Sequence, residues 1–421
     1  MLHFGTFCET LLRIIFRNRV RMALPPVVAI EIGTSKVVAL VGEIRDDGHI
    51  VITGIGEHPS SGIRKGEITD FDHALVCVRG ALAGAEETGQ VAIHQLHVAF
   101  SGGHVEALVN RGTIPVNKPA EGVTEDDVEQ VTEVARAVNI DPDRKVMHSI
   151  GQIFYVDGER VGRPQGFEGE TLALDMLILH TKQSQIRNTV RLLESIPMSV
   201  ADVAFGGLCS ALAVLTPEQK EGGVLVIDLG GGTTTYAAYA GGTFATAGAL
   251  RLGGDHVTND IALAFNIPRS QAERLKKEAG SASGDETVRG MRVEIPAEVG
   301  YPARSVSLAS LHTVMHLRMQ EILRMIREDI ERQGFLHQFG AGVVLTGGGS
   351  HMKGILKLTE QVFRAPCIVG RPAGFSGLAA VSDRPEYSTV AGLIRYAFLN
   401  AERQRQGTSP LVKVLRKLFG G

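Results

Sequence analysis

Two related halves, each built of α/β layers, follow from the order of apolar runs and glycine turns in this chain. Three observations carry that reading. From Pro25 onward strand-like and helix-like stretches alternate, the pattern of layered α/β domains. One device occurs twice, about 200 positions apart: Val28-Ala29-Ile30-Glu31-Ile32-Gly33-Thr34-Ser35-Lys36-Val37 and Val226-Ile227-Asp228-Leu229-Gly230-Gly231-Gly232-Thr233-Thr234-Thr235. At 421 residues, finally, the chain is too long for one ordinary core, so at least two domains are expected.

In each copy of the device an apolar strand carries an acid near its end. Glycine and small hydroxyl residues then turn the chain into a second strand. Glycine removes the Cβ that would keep backbone N–H groups from a phosphate, and the turn's oriented amides favour an anion. The acid can hold a magnesium ion, directly or through water. Two such hairpins facing each other would clamp one triphosphate. A third cluster, Leu345-Thr346-Gly347-Gly348-Gly349-Ser350-His351-Met352, also follows an apolar strand. It would let a flat base approach the backbone, with Met352 as an apolar wall. No Walker A or GxGxxG sequence occurs in a supporting context.

Composition narrows the class. A net charge of −3 carries no nucleic-acid signature, so no nucleic-acid partner is expected, and tryptophan is absent. The four cysteines (Cys8, Cys77, Cys209, Cys367) show neither metal-ligand nor disulfide-framework spacing, which suits a reducing cytosol. Nothing reaches the roughly 18 consecutive apolar residues of a membrane span. Arg13, Arg17, Arg19 and Arg21 lie within or after the N-terminal apolar run, unlike a secretory signal, so the protein is expected to stay inside the cell.

Along the chain, 27–43 and 50–56 read as strands of the first half and 71–88 as a helix. Residues 96–171 read as an insertion. It comprises a strand at 96–100, a helix that Thr124 caps ahead of Glu125, Asp126 and Asp127, and a strand at 152–155. A strand at 172–179 and a helix at 183–195 then return to the first half. The second half opens at Gly222-Gly223. It holds a short charged helix at 270–279, a polar, turn-rich stretch at 279–302, and a long amphipathic helix at 308–333 ended by Gly334. Helices at 206–215 and 387–399, rich in Ala, Gly and Ser, would cross between the halves. Their small residues permit close approach at a hinge, or simply pack well. Residues 401–409 read as a polar linker.

That order of hairpin, connecting helix, hairpin, base motif and final helix resembles the actin-like ATPase superfamily, and within it the FtsA cell-division family. The residues carrying the resemblance are Glu31-Ile32-Gly33-Thr34-Ser35-Lys36, Ser101-Gly102-Gly103-His104, Asp228-Leu229-Gly230-Gly231-Gly232-Thr233, Gly347-Gly348-Gly349, Tyr387-Ser388-Thr389 and the C-terminal tail. It covers about residues 27–400 plus the tail. Glu31 is specific, because most of the superfamily has Asp there.

The resemblance implies an actin-like (ribonuclease-H-like) duplicated α/β fold with an FtsA-type inserted subdomain, ATP and Mg2+. The first half would comprise 27–95, 172–202 and 381–400, and the insertion 96–171. The second half would be 203–253 with 310–380, and its upper part 254–309. Gly33, Thr34, Ser35 and Lys36 would form one phosphate loop, and Gly230, Gly231, Gly232 and Thr233 the other. Asp228 would orient hydrated magnesium, with Glu31 as a second candidate. Glu273 and Lys276, one turn apart on a helix, would flank ribose and base, unless they form an ordinary surface ion pair. Gly347, Gly348, Gly349 and Met352 would meet adenine.

It further implies head-to-tail self-assembly through the insertion, and capture of the C-terminal tail of FtsZ by 254–309, where Arg292 and Arg304 are candidates. Recruitment of later divisome proteins at the cytoplasmic face of the membrane, at the division site, completes the family role. One departure bears on chemistry. Superfamily hydrolases carry Glu or Gln near the first connecting helix to position water. Here 203–208 has none and Asp202 is the nearest acid, so slow or negligible ATP turnover is expected. A pilus-assembly actin-like protein, or a soluble ATPase or kinase of the same superfamily, is the alternative.

The tail, 410–421, points to a membrane surface. At roughly 100° per residue, Leu411, Val412, Val414, Leu415, Leu418 and Phe419 share an arc of about 160°, opposite Lys413, Arg416 and Lys417. Pro410 suits a first helical turn after Ser409. Such a helix lies in an anionic lipid surface. The leader, 1–26, repeats the pattern less cleanly, with Phe4, Phe7, Leu11, Leu12, Ile14, Ile15 and Phe16 on one side. Either it is a second membrane-contacting helix, or the chain starts at Met22.

Overall fold

The computed structural model describes residues 25–407, except 46–47, 285–287, 299, 379–380 and 382. The leader up to residue 24 and the tail helix expected at 410–421 lie outside the described residues.

The first half opens with β1 (Val27–Ile32), β2 (Lys36–Ile44) and β3 (Ile50–Pro59), an antiparallel meander. A miniature hairpin follows, β4 (Ile63–Arg64) and β5 (Glu67–Ile68), then α1 (Phe71–Gly89), capped by Asp70, and β6 (Gln95–Phe100). The inserted layer contains β7 (Glu106–Pro115), α2 (Glu125–Arg136), β8 (Arg144–Val156), β9 (Glu159–Val161) and β10 (Thr171–Lys182). Thr124 caps α2 as expected, and Asp127 reaches back to the Thr124 N–H to complete the capping box. The chain returns through α3 (Gln183–Glu194), β11 (Ser199–Phe205) and α4 (Gly206–Val214).

After α5 (Pro217–Gly222), the second half repeats the meander as β12 (Val224–Leu229), β13 (Thr234–Ala240) and β14 (Thr243–Leu250). Then come α6 (Gly254–Phe265), α7 (Arg269–Ala279), a hairpin of β15 (Arg292–Ile295) and β16 (Arg304–Ser307), and the 25-residue α8 (Leu308–Arg332). The chain ends through β17 (Val343–Thr346), α9 (Ile355–Phe363), β18 (Cys367–Val369), β19 (Phe375–Gly377) and α10 (Ser388–Gly407).

Five strands of the first sheet have counterparts in the second, and β19 is the extra one. The first sheet runs β11-β6-β1-β2-β3-β19, and the second β18-β17-β12-β13-β14. In both, an antiparallel meander is extended by parallel strands: β6 beside β1, and β17 beside β12. All six residues of β12 are buried, as a strand covered on both faces requires. The core between the halves is shared, because Phe205 and Leu208 of the α4 region pack with Val226, Val390 and Ile394 in one apolar cluster. There α4 and α10 cross in backbone contact. A Cβ on Gly392 would stand 1.8 Å from the Cys209 carbonyl oxygen, so only glycine permits this crossing.

Five expectations change. The strand at 96–100 does not belong to the insertion, because β6 pairs in parallel with β1 and β11 in the first sheet. The strand at 172–179 does not return to the first half, because β10 pairs with β7 and β8 in the insertion's own sheet. Strand β11 continues past residue 202 to Phe205 and stays in the first sheet. Residues 375–377, expected in the second half, form β19 beside β3 in the first sheet. The 401–409 linker is largely helical, because α10 runs to Gly407. Ala, Glu, Arg and Gln extend a helix without any apolar face.

Candidate functional site

Both glycine hairpins turn the same way. The Gly33 N–H donates to the Lys36 carbonyl at 3.1 Å, and the Gly230 N–H to the Thr233 carbonyl at 3.0 Å. A Cβ on either glycine would stand 2.8 or 2.7 Å from that same carbonyl oxygen. The turns face each other so closely that a Cβ on Gly232 would lie 2.3 Å from Thr34 Oγ1. Between the halves lies a cleft of about 540 Å3. It brings together Gly33, Thr34, Ser35, Lys36, Gly230, Gly231, Gly232 and Thr233, together with Glu273, Lys276, Gly347, Gly348, Gly349, Met352, Glu31 and Asp228.

The two acids crowd one another. Desolvation deep in the cleft, and then the Asp228 charge, push the Glu31 carboxyl up to about 8, against the pull of Lys36 and of a Thr389 hydrogen bond. Burial raises Asp228 too, opposed by hydroxyl donors from Ser210 and Thr389. A divalent cation would relieve this pair. Two carboxylates at the head of the cleft suit magnesium, which binds through one or two carboxylates and keeps its own waters.

The Lys36 side chain already has partners beside the cleft. Its ammonium sits 2.9 Å from Glu57 Oε2 and 4.0 Å from the centre of the Tyr387 ring. The Tyr387 hydroxyl donates to the same Glu57 oxygen at 2.7 Å. A phosphate would have to draw the ammonium off this pair. Glu273 and Lys276, 2.7 Å apart, are no ordinary surface pair, because both line the cleft and the Lys276 side chain is only 12% exposed. Lys276 also donates to the Gly254 carbonyl and to Thr258 Oγ1. Burial would raise Glu273, but Lys276, Thr258 and Lys277 hold it at about 2.

Sequence reasoning missed Ser210 as a site neighbour and gave Thr389 no role. Both donate to Asp228 Oδ2, at 2.5 and 2.8 Å. It also missed Glu386, which lines the cleft 2.9 Å from His351 and 2.6 Å from Arg384. A hydroxyl inside a small-residue helix was the available signal for Ser210. Asp202 caps no helix. Its Oδ2 accepts from the Tyr396 hydroxyl at 3.1 Å, tying β11 to α10. Arg292 and Arg304 sit on the β15–β16 hairpin and do not line the cleft. Arg292 is exposed and donates to the Ser305 hydroxyl and carbonyl, and Arg304 donates to the Phe265 carbonyl at 2.8 Å. The membrane candidates Leu411, Lys413, Val414, Leu415, Arg416, Lys417, Leu418 and Phe419 lie outside the described residues.

Comparison with known proteins agrees with this architecture. A family model described as cell division protein FtsA matches residues 225–392, and one described as the SHS2 domain inserted in FtsA matches 102–180. The second match includes nearly all of β10. FtsA of Escherichia coli strain K12 is 35% identical over 389 residues, covering 90% of this chain and 92% of the relative. FtsA of Borreliella burgdorferi is 33% identical over 394 residues, covering 93% and 94%.

Among solved structures, a PilM-PilN type IV pilus biogenesis complex aligns with a TM-score of 0.62 at 15% identity, covering 88% of this chain and 98% of its own. MreB5 of Spiroplasma citri bound to ADP aligns at 0.50 and 15%, covering 91% and 99%. These likenesses concern the fold, which is actin-like. Identity across nine-tenths of the chain, together with the matched insertion, goes further: the chain belongs to the FtsA family of cell division proteins.

Proposed function

We propose that this chain binds ATP with Mg2+ in the cleft and uses it as a conformational ligand for assembly in cell division. In this reading it polymerises head to tail and tethers FtsZ filaments to the cytoplasmic face of the membrane, where it recruits later divisome proteins. The observation that carries it is the pair of matching glycine turns closing on one cleft, each preceded by an acid. The turn amides would hold phosphates, Asp228 would orient the hydrated cation, and the Gly347–Gly349 turn with Met352 would receive the base.

Turnover would be slow. Asp202, the acid nearest to the first connecting helix in sequence, is committed to Tyr396 and Asn400. The exposed Arg292 is the better placed of the two arginines to meet an acidic tail peptide. Attachment would come from the tail. Its three basic residues contribute about 1 kcal/mol each near anionic lipid, so one tail binds weakly and a filament of many binds by avidity.

Co-sedimentation with anionic liposomes tests this, comparing the full chain with one ending at Arg405, with and without ATP. ATP-enhanced pelleting that is lost on truncation is the expected result. Equal pelleting of both forms would place the anchor elsewhere. No pelleting of either would end the tether reading.

A further inference from the structure

Three polar side chains from distant parts of the chain converge behind the second phosphate turn. Asp228 lies in β12, Ser210 in α4, and Thr389 in the first turn of α10. Ser210 Oγ and Thr389 Oγ1 both donate to Asp228 Oδ2, and the two hydroxyls are 3.0 Å apart. Ser210 is 0% exposed, Thr389 5% and Asp228 9%.

These hydroxyls behave unlike several others in the helices. Thr132, Thr189 and Thr359 each donate to the carbonyl four residues back, on Val128, Gln185 and Ile355. That local bond is the ordinary outlet for a helical hydroxyl. Ser210 and Thr389 direct theirs across elements, onto a single oxygen.

The geometry has a consequence for the carboxylate. With both donors on Oδ2, Asp228 cannot rotate without forfeiting two charge-assisted bonds. Oδ1 is left beside Gly347, where a Cβ would stand 2.2 Å from it. Among the described residues no protein group donates to Oδ1. Both hydroxyls are in turn fixed by one helix crossing. Ser210 follows Cys209, and Thr389 precedes Gly392 by one turn, at the point where the backbones of α4 and α10 touch.

We propose that Ser210 and Thr389 are positioning residues that aim Asp228 Oδ1 at the cation accompanying a bound nucleotide. The Mg2+ dependence of nucleotide binding is thereby set at the crossing of the two helices that join the halves. The proposal rests on the cleft being a Mg2+–ATP site.

The test measures affinity for a fluorescent ATP analogue, in Mg2+ and in EDTA, for the full chain and for Ser210→Ala, Thr389→Val and Thr389→Ser. Loss of one hydrogen bond to the charged group should remove about tenfold of the Mg2+-dependent tightening in the Ala and Val variants, or ~1.4 kcal/mol. Affinity in EDTA should stay within about twofold, and Thr389→Ser should retain wild-type behaviour. Equal weakening in Mg2+ and EDTA would mean a merely structural role and overturn the proposal, as would no weakening at all. A wild type that binds the analogue without any Mg2+ dependence keeps the ATP reading but overturns the proposal. A wild type that binds nothing removes the ATP reading itself. If Ser210→Ala does not fold, the Thr389→Val and Thr389→Ser pair decides.

Discussion

Replacing Gly392 by alanine tests how the halves are joined. The added Cβ would stand 1.8 Å from the Cys209 carbonyl oxygen, where about 3.5 Å is the comfortable approach. Helices α4 and α10 must therefore separate by roughly 1.5 Å or bend. Overpacking of this kind costs about 1–3 kcal/mol, while alanine in place of a helical glycine returns at most about 1. The net expectation is a loss of about 1–2 kcal/mol, seen as a melting temperature lower by ~2–5 °C. Differential scanning fluorimetry reads this directly. Gly162→Ala is the control, because a Cβ there meets nothing within 4 Å and should change stability by less than about 0.5 kcal/mol. Cys209 adjoins Ser210, and Gly392 lies one turn from Thr389, so affinity for Mg2+–ATP should fall in the same variant. A Gly392→Ala protein that melts at or above the wild type would refute the close crossing.

Gly232→Ala places a methyl 2.3 Å from Thr34 Oγ1 and 2.8 Å from the Lys65 nitrogen, wedging the two turns apart. Affinity for ATP by equilibrium titration should fall at least tenfold, about 1.4 kcal/mol. Glu31, whose carboxyl is raised to about 8 in the folded protein, binds more protons there than in the unfolded chain between about 4.5 and 8. Its contribution is therefore lost as pH rises through that window. In EDTA and without nucleotide, Glu31→Gln should match the wild type near pH 5 and melt higher at pH 8. His148 is pushed down to about 4 by burial, and its neutral Nε2 accepts from the Phe205 N–H at 2.9 Å. The unfolded chain takes up that proton first, so stability falls as pH drops from 6.5 toward 4. His148→Gln should show a shallower fall in melts followed across that range.

What could be read in the chain was what its local chemistry determines. The hairpins were legible because a strand, an acid and a glycine turn are contiguous, and the Thr124 cap because its box closes within three residues. Pairing partners were not. An apolar run such as Leu172–Leu179 announces a strand but not the sheet that receives it, and β10 pairs inside the insertion because β7 and β8 flank it. Strand β7 escaped notice because Asn110, Arg111 and Gly112 interrupt its apolar run. The end of α10 was read as a linker from its polarity, although its residues are good helix formers.

At the site the same division separates groups from their partners. The duplication suggests that Glu31 and Asp228 are equivalents, since each pairs with a parallel strand on one side and the meander on the other. Their surroundings make them unequal. Asp228 Oδ2 takes two hydroxyls from the connecting helices, whereas Glu31 feels desolvation and its neighbour's charge most strongly. Burial raises both carboxyls, and of the two it is Asp228 whose rise is opposed by hydroxyl donors from both connecting helices. Sequence supplied the two acids, but the 18 residues from Ser210 to Asp228 and the 161 from Asp228 to Thr389 hide the donors that divide their roles. A duplicated fold thus acquires a direction: the second half carries the anchored carboxylate, and the helices between the halves carry the groups that anchor it.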